Sequence, residues 1–315
     1  MRKARIIFMG TPEFAVGSLS TLINNNKEVV AVVTVPDKPA GRGLKLRESA
    51  VKQFALSKQL PVLQPVSLKD PDFIEELKSY NANLFVVVAF RKLPDEVWSL
   101  PGSGTFNLHA SLLPDYRGAA PINHAVINGE SVTGVTTFFL NSEIDTGRII
   151  LSRSLEIGPD ETAGELHDRL MVTGAELTLE TVNAIEMDSF TLKEQPKTTN
   201  PLKGAPRIFR KDCQINWNEP ALKVHNLIRG LSPYPGAFSA MHTTNVDGEV
   251  KIIRSAISSF KGMLTPGEAV IHDNRITVAC AQGFIEILQL QPAGKKAMGT
   301  ADFLRGLRSA QIRFL

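Results

Sequence analysis

Three short apolar runs rich in β-branched residues, at positions 6–9, 29–35 and 84–90, constrain the fold of this chain more than any other feature. Runs of this length without polar alternation fit strands covered on both faces, as in a parallel sheet. Between them lie stretches with helical spacing at 13–23, 49–59 and 72–79, the last opening on acidic residues where a helix N-terminus favours them. Residues 105–110 continue as a fourth strand, 122–128 as a helix, 135–140 and 148–152 as strands, and 162–187 as a long amphipathic helix. This β-α-β order predicts an α/β fold, a doubly wound and mostly parallel sheet of the Rossmann kind. The pattern breaks at 190–207, where Lys, Pro, Thr and Gly replace it, and then resumes as strands at 246–253, 268–272, 275–280 and 283–290, spaced by Gly, Asp and Asn turns. That spacing predicts a small closed β-barrel. The expected organisation is a catalytic domain over 1–189, a basic linker over 190–207 and a barrel over 208–315.

Composition narrows the function. The longest wholly apolar run is seven residues, far short of the ~20 needed to cross a bilayer. Met1-Arg2-Lys3-Ala4-Arg5 lacks a following hydrophobic stretch of signal-peptide length, so a cytoplasmic protein is expected. Two cysteines, Cys213 and Cys280, build neither a disulfide framework nor a zinc site, and both are expected to be reduced and structural. Net charge is only +3, yet residues 1–200 carry 20 Lys+Arg against 24 Asp+Glu, and residues 201–315 carry 15 against 8. A half with net charge +7 is suited to a polyanion beside a half suited to chemistry.

The turn after the first strand excludes dinucleotide binding. Gly10-Thr11-Pro12-Glu13-Phe14-Ala15 lacks the second and third glycines of the fingerprint, and Pro12 removes a backbone donor. A P-loop, HExxH, GxSxG and metal-spaced Cys/His clusters are absent too. Candidate chemistry gathers at Thr105-Phe106-Asn107-Leu108-His109-Ala110-Ser111-Leu112-Leu113-Pro114. On a strand Asn107 and His109 share one face while Phe106, Leu108 and Ala110 enter the core. Glu143-Ile144-Asp145-Thr146-Gly147 supplies a carboxylate in a turn, and Asp145 beside His109 would favour the imidazolium. Two enzyme classes fit these residues. In a hydrolase, Ser111 is the nucleophile, His109 the base and Asp145 the orienter. In a group transferase, Asn107 and His109 hold a carbonyl oxygen while an external amine attacks. Ser111 lacks a strained nucleophile elbow, which favours the second.

Asn107, His109, Ser111-Leu112-Leu113-Pro114, Tyr116-Arg117-Gly118-Ala119-Ala120-Pro121 and Asp145-Thr146-Gly147 closely resemble the folate-dependent formyltransferases. The resemblance extends to Pro36-Asp37-Lys38-Pro39-Ala40-Gly41-Arg42-Gly43 and to Gln291-Pro292-Ala293-Gly294-Lys295-Lys296-Ala297-Met298, the latter marking members that act on tRNA. It implies 10-formyltetrahydrofolate as donor and co-substrate, the α-amino group of methionyl initiator tRNA as acceptor, no metal, and Asn107, His109 and Asp145 as the catalytic trio. It further implies a folate pocket lined by Ser111, Leu112, Leu113, Pro114, Phe90 and Leu93. Where the family usually carries Tyr-Gly before a Leu-Pro pair, this chain has Phe90-Arg91-Lys92-Leu93-Pro94. Arg42 is implied to reach the acceptor stem, and Lys295 and Lys296 stand in the motif that marks the tRNA enzymes. Charge alone, apart from the resemblance, sets Lys193, Lys197, Lys203, Arg207, Arg210 and Lys211 in or beside the linker as a basic strip expected to follow tRNA phosphates. A monomer is expected. Trp217, Tyr234 and Phe238 are expected to pack the second domain, and the remaining histidines to be structural or on the surface. The competing readings are a formyltransferase or formyl hydrolase acting on a small-molecule amine, and a tRNA-binding module without activity.

Overall fold

The computed structural model describes residues 3–40, 45–196, 201–243, 247–307 and 311–315. The chain divides into two compact units, one of Met1–Gly118, Thr133–Leu155 and His167–Gly204, the other of Ala119–Val132, Glu156–Leu166 and Ala205–Leu315.

The first unit is built on a seven-stranded sheet. In chain order its strands are β1 (Arg5–Gly10), β2 (Glu28–Val33), β3 (Val62–Leu63), β4 (Leu84–Val88), β5 (Thr105–His109), β6 (Val132–Phe139) and β7 (Ile149–Glu156), arranged β7-β6-β5-β4-β1-β2-β3. Pairings from β3 through β5 are parallel, and β6 runs antiparallel to β5. The expected sheet is thus present, and the order 3-2-1-4-5 is that of a doubly wound nucleotide-binding fold. Residues alternate between two dry faces. Ile7 and Met9 join Val33, Phe85 and Val87 in a core covered by Phe73 and Leu77 of helix Pro71–Ser79. On the helix spanning Ala163–Met187, Thr178 meets Ser18 at 3.3 Å, Thr181 meets Thr137 at 2.8 Å, and Gly174 admits the side chain of Leu108. Small and hydroxyl-bearing residues let this helix approach the sheet and its neighbour closely while keeping each buried polar atom bonded.

The second unit holds the expected barrel, with two more strands than the sequence discloses. Strands β8 (Ala237–Thr243), β9 (Asp247–Ser258), β10 (Glu268–His272), β11 (Arg275–Ala279), β12 (Phe284–Pro292) and β13 (Ile312–Phe314) follow the order β9-β8-β13-β10-β11-β12, and β12 pairs back to β9. Every pairing is antiparallel, so six strands close on themselves and leave no unpaired edge. Val250, Ile252, Val278, Ile285, Ile287, Leu290 and Phe314 fill the interior together with Trp217, whose indole N–H donates to Ser239 Oγ at 3.0 Å. Helix Ala221–Gly230 packs on the barrel, and its buried Arg229 donates to the Gly158 and Glu161 carbonyls at 3.2 and 3.1 Å. His225 is buried beside it, with Nδ1 3.0 Å from Ser255 Oγ. Among the described residues no helix is long and apolar enough to cross a membrane.

Candidate active site

The carboxyl end of β5 places the two polar side chains. In parallel register Val88 lies beside Leu108, so the residues following β4 and those following β5 emerge at one edge of the sheet. Phe106 and Leu108 are buried in the core, and Asn107 and His109 take the opposite face. Asn107 is half-buried, and its amide meets no hydrogen-bond partner among the described residues. His109 is only 6% exposed. Its Nε2 lies 2.8 Å from the Tyr116 carbonyl, an atom that can only accept, so Nε2 carries the proton there. The other nitrogen, Nδ1, faces Asp145 Oδ2 at 3.9 Å. That separation is too long for a direct hydrogen bond and is open to a group or a water held by both.

The loop after β5 is a fixed wall. Ser111 is fully buried and its hydroxyl donates to the Asp115 carbonyl at 2.7 Å, while its own carbonyl accepts from Thr136 Oγ1 at 2.7 Å. This commitment removes the hydrolase arrangement, because the oxygen that would attack is spent within the loop. Leu113 is buried, and Leu112 and Pro114 are half-buried. Tyr116 takes a left-handed φ of 61°, and its N–H donates to the Lys203 carbonyl at 2.5 Å. Lys203 in turn donates its N–H to Asp115 Oδ1 at 3.0 Å, so its backbone braces the loop that holds His109.

Asp145 also sits at a left-handed φ, 55°, and its Oδ2 accepts the Gly118 N–H at 3.0 Å. Gly147 permits the turn, since a Cβ there would collide with the Phe139 carbonyl oxygen. Gln195, which sequence reasoning missed, ties this loop down. Its Nε2 donates to the Asp145 and Gly147 carbonyls at 2.8 and 2.9 Å, and its Oε1 accepts from Arg117 Nε at 3.1 Å. Nothing around Glu194-Gln195-Pro196 marks it out, because an isolated amide in a segment read as linker carries no periodicity or motif.

The remaining candidates are spread out. Phe90 follows β4 and is half-buried, with the Arg91 guanidinium 5.6 Å from its ring centre. Arg91 Nη1 donates to the Val66 carbonyl at 3.1 Å, and burial pulls its pKa down. Leu93 is 4% exposed and belongs to the core that includes Val97 and Leu77, so it can shape a pocket only through its backbone or by supporting Phe90. Lys203 lies in the first unit, whereas Arg207, Lys211, Lys295 and Lys296 are exposed residues of the second. Arg42 and Lys197 lie outside the described residues. Among the described residues, no group of three or more His, Cys, Asp or Glu is placed to hold a metal ion.

Comparison with known proteins decides the family. Residues 3–182 match the family described as formyl transferase, and residues 207–308 match the formyl transferase C-terminal domain. The chain belongs to the formyl transferase family. Similar family members include the methionyl-tRNA formyltransferase of Flavobacterium johnsoniae, 50% identical over 98% of this chain and 97% of the relative. That of Bacteroides thetaiotaomicron is 48% identical over 96% of each. Among solved structures, the fold resembles a Helicobacter canadensis N-formyltransferase in complex with folinic acid and dTDP-3-aminofucose, with a TM-score of 0.66 and 21% identity over 93% of this chain and all of that one. It also resembles HypX of Aquifex aeolicus in complex with tetrahydrofolic acid, with a TM-score of 0.64 and 18% identity over 96% of this chain and 47% of that one.

Proposed function

We propose that this formyl transferase transfers the formyl group of 10-formyltetrahydrofolate to the α-amino group of methionyl initiator tRNA, giving the formylated aminoacyl-tRNA used to begin translation. The observation that carries the reading is the likeness at 50% identity across 98% of the chain, through both family segments, to a relative of that name. The geometry supports the chemistry. Asn107 offers an unpartnered amide beside His109, whose Nδ1 side is open toward Asp145, and this fits a carbonyl presented at the sheet edge.

The folate co-substrate supplies an activated formyl group. The side-chain amide of Asn107 donates to the formyl oxygen, and so does His109 Nδ1–H in the imidazolium form. Both stabilise the negative charge that gathers there as the amine attacks. Such a donor typically contributes about 10² to 10³ in rate. Nε2 stays on the Tyr116 carbonyl throughout, which fixes the ring plane. Asp145 holds the charged form of His109 and, directly or through a water, takes the proton shed by the amine. As the tetrahedral adduct collapses, the bond from the formyl carbon to N10 of the folate breaks and that proton passes to N10, so that tetrahydrofolate leaves. Ser111, Leu112, Leu113, Pro114, Phe90 and Leu93 shape the folate pocket, with Ser111 and Leu93 acting from within the structure and Phe90 offering its ring. Arg42, Lys203, Arg207, Lys211, Lys295 and Lys296 neutralise tRNA phosphates. In this reading residues 1–189 carry catalysis, 190–207 link, and 208–315 bind tRNA, in a monomer working in the cytoplasm.

The test is formylation by the purified chain with labelled formylfolate. Label should enter methionyl-tRNA with a KM in the micromolar range and should enter free methionine or an amino sugar at least about 10³-fold less efficiently. Comparable efficiency on the small amines overturns the reading in favour of a small-molecule formyltransferase, and release of formate without transfer favours a hydrolase.

A further inference from the structure

The aromatic residues expected to pack the second unit separate into two kinds. Trp217 is 3% exposed and Phe238 packs against the same core, but Tyr234 is 82% exposed; Phe209, outside that expectation, is 56% exposed as well. An aromatic ring left in water is unremarkable when its backbone is loose. That of Tyr234 is not. It stands between Pro233 and Pro235, each with φ restricted by its ring. Ser232 at the base of the turn is buried, and its carbonyl accepts the Gly164 N–H at 3.0 Å. On the far side Gly236 takes φ 87° and donates its N–H to the Leu231 carbonyl at 2.8 Å. The turn therefore holds its tip in place, and the tip is a largely exposed tyrosine.

Cations accompany these rings. Lys251 Nζ reaches the Pro235 carbonyl at 2.7 Å, next to Tyr234. Across the strands Lys251 is register partner to Phe238, and the Arg210 guanidinium lies 4.6 Å from the Phe238 ring centre. Arg207 lies 5.7 Å from that of Phe209. The result is a run of alternating aromatic and cationic side chains in the basic part of the sequence, where residues 201–315 carry 15 Lys+Arg against 8 Asp+Glu. A protein-binding patch is expected to be contiguous and apolar at its centre and depleted of charge. Single rings interleaved with guanidinium and ammonium groups instead match the surfaces that hold unpaired nucleotides, where bases stack on rings and cations track phosphates.

We propose that Tyr234, aided by Phe209, is a stacking platform for unpaired bases of the RNA substrate. This rests on the tRNA reading above and adds to it a contact that is not electrostatic. The platform discriminates single-stranded from paired RNA without reading sequence, because every base offers a π-face.

The experiment uses the full chain, methionyl-tRNA and formylfolate. The wild-type KM for methionyl-tRNA is measured first, then those of Tyr234→Ala, Tyr234→Trp, Phe209→Ala and Arg207→Ala at several salt concentrations. Tyr234→Ala should raise the KM for methionyl-tRNA about 5- to 100-fold, the loss expected for one stacked base. Its kcat and its KM for formylfolate should stay within about twofold of wild type. Tyr234→Trp should retain tight binding, and Phe209→Ala should weaken it in the same direction as Tyr234→Ala. The salt dependence of KM should keep its slope in both alanine variants of the rings and flatten in Arg207→Ala. A wild type that fails to formylate methionyl-tRNA overturns the functional reading and this inference together. An active wild type with an unchanged KM in Tyr234→Ala overturns this inference alone, and so does an equal loss in Tyr234→Trp.

Discussion

In the proposed reaction His109 divides its two nitrogens between architecture and chemistry. Nε2 is anchored 2.8 Å from the Tyr116 carbonyl, so only Nδ1, 3.9 Å from Asp145, can serve a reacting group. Asp145 therefore orients the chemistry more than the ring, whose plane the Tyr116 carbonyl already sets. Gln195 is a positioning residue in this scheme, because it holds the backbone of Asp145 through the Asp145 and Gly147 carbonyls. Gln195→Ala should lower kcat about tenfold, equivalent to ~1.4 kcal/mol, and leave both KM values within about threefold. A steady-state kcat against KM comparison checks this, and a KM-only effect would remove Gln195 from the scheme. Cysteine chemistry gives a second residue-scale outcome. Burial pushes the Cys280 thiol up to about 12, and Cys213 is raised for the same reason. Both stay neutral thiols at pH 8, so iodoacetamide followed by mass spectrometry should find neither alkylated in the native chain and both alkylated after denaturation.

At the level of elements, the strands and helices that repeat a burial period were legible in the sequence, and those held by the tertiary fold were not. The runs at 6–9 and 84–90 correspond to β1 and β4 because both faces of these strands are dry. Strand β13 escaped notice since three residues, Ile312–Phe314, alternate too briefly to register, although Ile312 and Phe314 close the barrel. Helix Ala221–Gly230 was hidden by buried His225, Asn226 and Arg229, polar residues on the face that a helical pattern would reserve for apolar ones. One cap has a measurable consequence. At the start of helix Ala163–Met187, Glu165 of the first turn accepts the Thr162 N–H at 2.9 Å and the Thr162 hydroxyl at 2.8 Å, while Thr162 Oγ1 accepts the Glu165 N–H at 3.2 Å. The Thr162 backbone bond is the main cause of a Glu165 pKa lowered to about 2, with Arg254 adding to it. A carboxylate with a depressed folded pKa stabilises above its unfolded value near 4.5 and loses that contribution as pH falls toward 2. With Glu165 nearly half exposed, Glu165→Gln should cost about 1 kcal/mol at pH 7. Denaturant titrations should show the gap to wild type closing between pH 4.5 and 2, and a gap independent of pH would contradict the assignment.

Across the whole molecule, the compact units are discontinuous, since Ala119–Val132 and Glu156–Leu166 group with Ala205–Leu315. Linear reading locates composition shifts, and only packing reveals which segments return to a distant core. The strand that carries the proposed site was readable because Asn107 and His109 obey a period of two at a strand end. Gln195 and the Lys203 backbone were not, because they act through single long-range hydrogen bonds with no local pattern. Charge asymmetry belongs to this scale as well. Affinity for methionyl-tRNA should fall steeply between 50 and 200 mM salt, and removing one lysine proposed to meet a phosphate, as in Lys295→Ala, should reduce the slope of log Kd against log salt by about one.

The account stands on Asn107 and His109 meeting one formyl oxygen beside Asp145. Single-turnover transfer from labelled formylfolate to methionyl-tRNA, measured with Asn107→Ala and His109→Ala alongside the Kd of each variant for methionyl-tRNA, tests it most directly. Each variant should transfer about 10² to 10³ more slowly while its Kd stays within about threefold of wild type. A transfer rate near wild type in either variant, or a loss of affinity as large as the loss of rate, would contradict it.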